Sequence, residues 1–249
     1  QPVNDPGFLG MSVTRMCETA SGAWLLGSHA ADWSKKPLET QQYILRSEDQ
    51  GETWHLLPGA RKVGWSVPEY NRMDEGRPIW LQGSEVFFMA RTPAGQIWTS
   101  RSHDDGRSWS DPKPSSLVHP DAPPMVFHSS DRKTLINFFH NRHTGTQYTG
   151  LSGTMDGMKD RSEIWVTLSS DGGRNWSEPR FLFANATQMN PEKNGWFNHQ
   201  VSYLDAVIDK GTIHIFCPHL WNRAVYLTLQ ESDLQKLPTK EMLQNTLPR

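Results

Sequence analysis

Short apolar runs follow one another along most of the chain, and residues typical of turns (Gly, Pro, Asp and Asn) separate them. A clear set occupies 78–81, 85–90 and 96–100, where β-branched and aromatic residues are frequent. Runs of this length, composition and spacing are typical of β-strands. The pattern therefore predicts short antiparallel strands for nearly the whole chain.

Four consecutive units of the chain contain comparable sets of three runs. The predicted strands are 12–16, 23–27 and 42–46 in the first unit, 78–81, 85–90 and 96–100 in the second, 124–128, 134–139 and 163–168 in the third, and 201–204, 212–216 and 224–228 in the fourth. Only the tail, from about Ser232 to Leu243, has a helical pattern.

A short motif, S-x-D-x-G-x-[TSN]-W, closes each of the first three units, at 47–54, 102–109 and 169–176. Its aspartates are 55 residues apart (104 − 49) and then 67 apart (171 − 104). A motif that returns at such intervals indicates a repeated structural unit. We therefore predict an all-β fold, a β-propeller of four-stranded antiparallel blades with about four blades evident in this chain.

The residues of the motif predict a structural role. Asp binds its own backbone and Gly accepts positive φ, so both form turns. The Trp that follows can anchor such a turn to an apolar surface. The motif is therefore interpreted as a hairpin turn fastened to the core.

Composition narrows the classes of function. The chain has 249 residues, which suits a single domain over 1–249, with 21% charged residues and a net charge of −2. Neither nucleic acid nor an anionic membrane is expected as a partner, and no apolar run approaches the ~20 residues that cross a bilayer.

The chain begins at Gln1 rather than Met, which is expected of a processed or trimmed N-terminus. The two cysteines, Cys17 and Cys217, cannot make a disulfide framework and are expected to be buried free thiols; the alternative is that they pair if the ends of the chain meet.

The motif resembles the Asp box of sialidases and of other sialidase-like propellers with six blades. Residues between the boxes extend the resemblance. Glu75 precedes one strand and Arg91 ends the next, 16 residues later (91 − 75), as a catalytic Glu and a substrate-binding Arg do in that family. Arg161, eight residues before Ser169 (169 − 161), resembles another arginine of the family's substrate-binding triad. Segments 201–204 and 211–215 resemble the family's Tyr-bearing strand and the strand that follows it.

The resemblance implies an exo-glycosidase that removes a terminal acidic sugar, such as sialic acid, without a cofactor or a metal. An arginine cluster binds a carboxylate through paired planar hydrogen bonds that Lys cannot reproduce. A neutral Tyr nucleophile avoids repulsion by that carboxylate, and a nearby Glu removes its proton. In this hypothesis Glu75 is the base for Tyr203, and Arg91 and Arg161 bind the substrate. Such a substrate class implies an extracytoplasmic protein, while the oligomeric state is left open.

This chain departs from the family's pattern at several points. It shows about four units where the family closes six blades, so either about two blades are missing or closure differs. Arg15 resembles the family's leading arginine and Asp32 lies where the acid could sit, yet Arg15 comes only 60 residues before Glu75 (75 − 15). The family's Tyr aligns nearer Val201 or Ser202, and the alternative for Tyr203 is a core residue of its strand.

Histidines support a second hypothesis. Arg142 and His143 lie on a loop after a strand, His199 precedes the Tyr203 strand, and His219 follows the next strand, 20 residues beyond His199 (219 − 199). Propeller polysaccharide lyases pair His with Tyr to remove the proton beside a uronate carboxylate, which an Arg such as Arg142 holds. The alternative is that these histidines cap loops or pack on strands. A third hypothesis, a propeller that binds glycans without catalysis, also stays open.

Overall fold

The computed structural model describes residues 15–57, 64–143, 161–184, 201–219 and 223–246. These residues fall into two compact units, 15–117 and 118–246. Each unit contains two antiparallel sheets whose strands pair with their neighbours along the chain. The prediction of a single domain over 1–249 stays a prediction.

The first unit holds two four-stranded sheets. The first sheet consists of β1 (Cys17–Glu18), β2 (Trp24–Asp32), β3 (Glu39–Ser47) and β4 (His55–Leu57). The second consists of β5 (Asp74–Gln82), β6 (Glu85–Arg91), β7 (Gln96–Ser102) and β8 (Lys113–Val118), whose last residue reaches the second unit. Blade-like sheets of this kind are what the repeated runs predict.

The second unit holds a four-stranded and a three-stranded sheet. The former contains β9 (Met125–His128), β10 (Leu135–Phe139), β11 (Glu163–Ser169) and β12 (Arg180–Ala184). The latter contains β13 (Asp205–Asp209), β14 (Thr212–His219) and β15 (Arg223–Gln230). A 3₁₀ helix (Glu231–Lys236) and α1 (Lys240–Thr246) follow. No helix among the described residues is long and apolar enough to cross a membrane.

Two sequence predictions need correction in the second unit. The strand predicted at 201–204 is wrong, because Tyr203 has a left-handed φ of 63° and β13 begins only at Asp205. The helical tail is present but divided, since Leu237 is extended (φ −60°, ψ 148°) before Pro238. A residue that precedes proline is disfavoured in the helical region, which explains the break. Of the strand predicted at 12–16, residues 12–14 lie outside the described residues.

Alternating apolar side chains build a core in each unit. In the first, Leu25, Ile44 and Phe88 come from three different strands and are buried together. In the second, the core joins β9, β10 and β11 to β13 and β14. Each sheet thus buries one face against the neighbouring sheet of its own unit, which is how propeller blades stack. Cys17 and Cys217 are both buried free thiols, as expected.

The repeated motif forms the same turn each time. The Asp carboxylate accepts the backbone N–H of the residue four positions later, at 2.9 Å in all three copies. Trp54 and Trp109 each donate their indole N–H to the motif's glycine carbonyl at 3.1 Å. Trp109 also packs edge-on against Phe88, with ring centroids 5.9 Å apart. In the first two copies the Trp thus closes the turn, and Trp109 fastens its turn to the core, as the residues predict.

These hydrogen bonds also set the charge state of the motif's aspartates. The bonds from the Thr53 hydroxyl and backbone lower the pKa of Asp49 to about 2. Partial burial raises the pKa of Asp104, but the bonds from Ser108 outweigh it and lower the value to about 2. The backbone bond from Asn175 brings the pKa of Asp171 to about 2 as well. All three carboxylates are thus ionised acceptors at neutral pH.

Candidate functional site

A β-bulge at the start of β5 places the first group of candidate residues. Asp74 pairs with Arg91 and Arg77 with Met89, so Glu75 and Gly76 lie opposite the single residue Ala90. Glu75 takes a left-handed φ of 47° there. A Cβ at Gly76 would lie 2.0 Å from Cζ of Phe88, so only glycine fits this position. Bulges of this kind re-aim side chains and are frequent beside active sites.

The bulge gathers two carboxylates and two arginines. Arg91 Nη1 donates to Glu75 Oε2 at 2.6 Å, and Arg91 Nε lies 3.3 Å from Asp74 Oδ1. The other oxygen of Asp74 accepts from Arg72 Nε at 2.9 Å. All four side chains are buried, Asp74 with only 2% of its surface exposed. The charges of these four groups balance, as buried ionised groups require.

Strands β2 and β3 of the neighbouring sheet hold the bulge in place. Thr40 Oγ1 donates to Asp74 Oδ2 at 2.9 Å. Gln42 Oε1 accepts the backbone N–H of Gly76 at 2.7 Å. His29 Nδ1 accepts the backbone N–H of Glu75 at 3.4 Å, and burial lowers the pKa of His29. His29 is therefore neutral, and polar side chains on buried strands fix the backbone that carries Glu75.

This geometry preorganises Arg91. Two carboxylates contact its guanidinium through different nitrogens, so both its position and its plane are fixed. A fixed, buried guanidinium suits recognition of a planar anion such as a carboxylate or a phosphate. Glu75 is held as the partner of that cation, at the point where the backbone bulges. The structure thus brings Glu75 and Arg91 together, as the sequence predicts.

The second unit carries the other predicted residues, Arg161 and Tyr203. Arg161 is buried and donates through Nη2 to the backbone carbonyl of Asp121. Its own carbonyl accepts the N–H of Val201 at 2.9 Å, which ties it to the segment before β13. Tyr203, with 39% of its surface exposed, follows within that segment. The predicted convergence of this pair with Glu75 and Arg91 stays a prediction.

Two buried histidines lie beside that segment. The ring of His140 stacks on that of His119, with centroids 5.2 Å apart and planes 20° from parallel. Burial lowers the pKa of His140 to about 3. Burial, and then the neighbouring His140, lower the pKa of His119. Both imidazoles are therefore neutral at any pH near 7.

We expect His140 to make the protein sensitive to mild acid. In the unfolded chain His140 takes up a proton near pH 6.5, but in the folded protein it does so only near pH 3. The free energy of unfolding therefore falls as the pH drops through that window. Between pH 7 and pH 5 the loss from this group is about 2 kcal/mol. Urea unfolding at both pH values measures it, and His140→Gln should lose correspondingly less on acidification.

The exposed loop residue His143 offers a matched control for this experiment. His143→Gln should keep the full loss of stability of the wild type between pH 7 and pH 5. An equal loss in His140→Gln and the wild type would contradict the assignment.

The remaining predicted residues lie at exposed positions. Asp32 ends β2 and accepts hydrogen bonds from the Ser34 hydroxyl and backbone at 2.6 and 3.0 Å, which lower its pKa. A lowered pKa favours the carboxylate, whereas a general acid must be protonated at working pH. Arg15 is exposed just before β1. Arg142 pairs with Glu163 at 3.2 Å on the surface. The roles predicted for these three residues stay predictions.

Of the histidines in the second hypothesis, His199 lies outside the described residues. His219 is the last residue of β14 and pairs through its backbone with Arg223 of β15. Within the described ranges, no group of three or more His, Cys, Asp and Glu side chains is arranged to hold a metal ion.

The family model of the BNR repeat-like domain matches residues 6–215 of the chain. The chain belongs to the BNR repeat-like domain family. This match spans all three copies of the Asp–Gly–Trp motif. It also includes the candidate residues Glu75, Arg91, Arg161 and Tyr203. The sialidase-like β-propeller relationship expected from the motif is thereby confirmed.

Similar proteins of known structure share the fold of this BNR repeat-like chain. The NanB sialidase of Streptococcus pneumoniae superposes with a TM-score of 0.60 at 15% identity, over 90% of this chain and 30% of that one. A β-1,2-mannobiose phosphorylase of Listeria innocua superposes with a TM-score of 0.58 at 12% identity, over 91% of this chain and 60% of that one. These likenesses confirm the predicted β-propeller fold.

Among relatives by sequence, a xyloglucanase of Paenibacillus sp is 25% identical over 156 residues. The match covers 61% of this BNR repeat-like chain but only 14% of the xyloglucanase. The chain thus spans a small part of that protein.

Sequence reasoning missed the buried polar residues around Glu75 and before Tyr203: His29, Thr40, Gln42, Arg72, Asp74, His119 and His140. A signal for some of them was present. Gln42 begins the apolar run 42–46, and His140 directly follows the apolar pair Phe138 and Phe139. Polar residues at such positions are buried only with partners, so each one marked a place where another strand supplies a hydrogen bond.

Proposed function

We propose that this protein is a glycoside hydrolase of sialidase type that removes a terminal acidic sugar from glycans. The observation that carries the proposal is the ion pair of Glu75 and Arg91 at the bulge, held by Asp74 on one side and by β2 and β3 on the other. An immobile guanidinium loses little freedom on binding a carboxylate, which favours affinity and orientation. Similar proteins carry names of glycan-acting enzymes, namely a sialidase, a xyloglucanase and a mannobiose phosphorylase.

In the proposed reaction Arg91 and Arg161 bind the carboxylate of the sugar. Glu75 removes the proton of the Tyr203 hydroxyl, and the phenolate attacks the anomeric carbon as the bond to the aglycone oxygen breaks. That oxygen leaves with the bonding electrons and takes up a proton from water. Water then hydrolyses the glycosyl–tyrosine bond and releases the sugar. A neutral Tyr suits this role because a carboxylate nucleophile would be repelled by the substrate's own carboxylate. We propose that the reaction takes place outside the cytoplasm, where such glycans are displayed.

A panel of fluorogenic glycosides tests this function. We expect the wild-type protein to release the fluorophore from a sialoside or a related nonulosonic acid. Arg91→Lys keeps the charge but not the planar, paired donors, so kcat/KM should fall about tenfold or more. Arg101→Lys is the matched control, because Arg101 lies over the Phe87 ring in the same sheet, 4.7 Å from its centroid. The control should keep the turnover of the wild type.

Two results would contradict the proposal. One is the absence of turnover on every acidic glycoside by protein that melts cooperatively. The other is a product that absorbs in the ultraviolet as an unsaturated uronate, which would assign the protein to the lyases instead.

A further inference from the structure

A chain of hydrogen bonds runs through His140 to the residue before Tyr203. His140 Nδ1 lies 2.8 Å from the backbone carbonyl of Glu163, and His140 Nε2 lies 3.1 Å from Ser202 Oγ. A carbonyl can only accept, so Nδ1 carries the proton. In a neutral imidazole Nε2 is then the acceptor, and the Ser202 hydroxyl donates to it. His140 thus joins the first residue of β11 to the segment that leads into β13.

His119 completes the arrangement with the opposite tautomer. Its Nε2 lies 3.1 Å from the carbonyl of Ala122, and its Nδ1 accepts the backbone N–H of His140 at 3.3 Å. The two stacked rings therefore connect 119–122, the end of β10, the start of β11 and the segment 201–203. Both rings are buried completely or nearly so.

The same segment is held at two further points. The N–H of Val201 donates to the carbonyl of Arg161 at 2.9 Å, and Cys217 Sγ donates to the carbonyl of Val201 at 3.3 Å. With Val201 and Ser202 both fixed, the chain turns sharply at Tyr203, whose φ is 63°. This conformation is unfavourable for a residue with a side chain, and it persists only where the surroundings impose it.

A nucleophile–base pair is the other role that Ser202 and His140 could have, because their geometry resembles one. One observation argues against it. The pKa of His140 is lowered to about 3 by burial, whereas an effective general base has a pKa near the working pH. The arrangement is a scaffold.

We propose that His140, with His119 stacked on it, is a positioning residue that holds Ser202 and so sets the orientation of Tyr203. The proposal rests on the proposed function only in so far as Tyr203 acts on a substrate. Its structural part, the control of Tyr203 by His140, can be measured without any substrate.

Nitration of tyrosines by tetranitromethane, located by peptide mass spectrometry, reads out the position of Tyr203. The chain provides an internal reference in Tyr226, which is 54% exposed and whose hydroxyl lies 2.6 Å from His214 Nδ1. We expect His140→Gln to change the nitration rate of Tyr203 about fivefold, the size expected for one lost hydrogen bond, and to leave that of Tyr226 unchanged. The matched control His214→Gln should change Tyr226 and leave Tyr203 unchanged.

Ser202→Ala provides a milder second variant, because it removes only the hydroxyl that His140 accepts from. It should reproduce the change at Tyr203, and near-ultraviolet circular dichroism verifies that each variant keeps its tertiary structure. An unaltered Tyr203 rate in folded Ser202→Ala and His140→Gln would overturn the proposal. Equal changes at Tyr203 and Tyr226 would also overturn it, since they would show general loosening.

Activity provides the second measurement. With a substrate that the wild type hydrolyses, His140→Gln and Ser202→Ala should lower kcat about fivefold or more with a smaller change in KM, because a misplaced nucleophile affects the reaction more than binding. Unchanged kcat with altered nitration would overturn the link to catalysis. A wild type without any turnover would refute the proposed function, while the nitration result would still decide whether His140 positions Tyr203.

Discussion

Glu75→Gln is expected to lower kcat for the best acidic glycoside about a thousandfold while the protein stays folded. Removal of a general base typically costs about 10²- to 10⁴-fold in rate. Gln keeps an oxygen that can accept from Arg91 Nη1, and Arg91 retains Asp74 as an ionised partner at 3.3 Å. The rate should therefore fall much more than the melting temperature. Initial rates and thermal unfolding of the same preparation measure both.

Glu85→Gln is the matched control for that substitution. Glu85 begins β6 in the same sheet and lies 3.3 Å from the exposed His103, away from the bulge. We expect the Glu85→Gln variant to retain the kcat of the wild type. A Glu75→Gln variant with normal kcat would show that the base lies elsewhere, and the assignment of Glu75 would then be wrong.

Asp74→Ala is expected to destabilise the fold by about 3–5 kcal/mol, the cost observed when one partner of a buried ion pair is removed. Asp74 accepts hydrogen bonds from Arg72 and Thr40 and forms an ion pair with Arg91, so its loss removes a carboxylate that two buried guanidinium groups share. Asp74→Asn keeps an acceptor and should cost less. Urea unfolding at pH 7 measures the free energy of unfolding for all variants.

The exposed Asp111 provides the control for this series, since Asp111→Ala removes a charge outside the buried network. Its free energy of unfolding should match that of the wild type within about 0.5 kcal/mol. A loss below about 1 kcal/mol in Asp74→Ala would contradict the prediction and show that desolvation of the four groups offsets their attraction.

Three consecutive residues at the start of β5 thus have different roles. Asp74 stabilises the arginines, Glu75 is the proposed base, and Gly76 provides the space that Phe88 requires. The stability lost in Asp74→Ala and the rate lost in Glu75→Gln distinguish the first two roles. A bulge makes this possible, because it interrupts the regular alternation of a strand and lets successive side chains serve one site.

Much of the fold could be predicted from the sequence because its determinants are local. The Asp–Gly–Trp turns repeat the same hydrogen bond from a backbone N–H to the Asp carboxylate, since Asp and Gly impose that turn geometry wherever they occur together. Strands were predictable where apolar runs were bounded by turn residues. The strand predicted around Tyr203 failed because its apolar pattern was contradicted by a left-handed residue that only the surroundings impose.

The sequence by itself determined the repeated blades, the turns that close them and the family to which they belong, and it singled out Glu75 and Arg91 on adjacent strands. Only the tertiary structure decided that Asp74 joins Arg72 to Arg91, that His29 and Gln42 hold the bulge, and that His140 fixes Ser202. Turns depend on neighbours in the chain. Buried polar networks depend on strand register and on residues far apart in sequence, whose partners exist only once the sheets have packed.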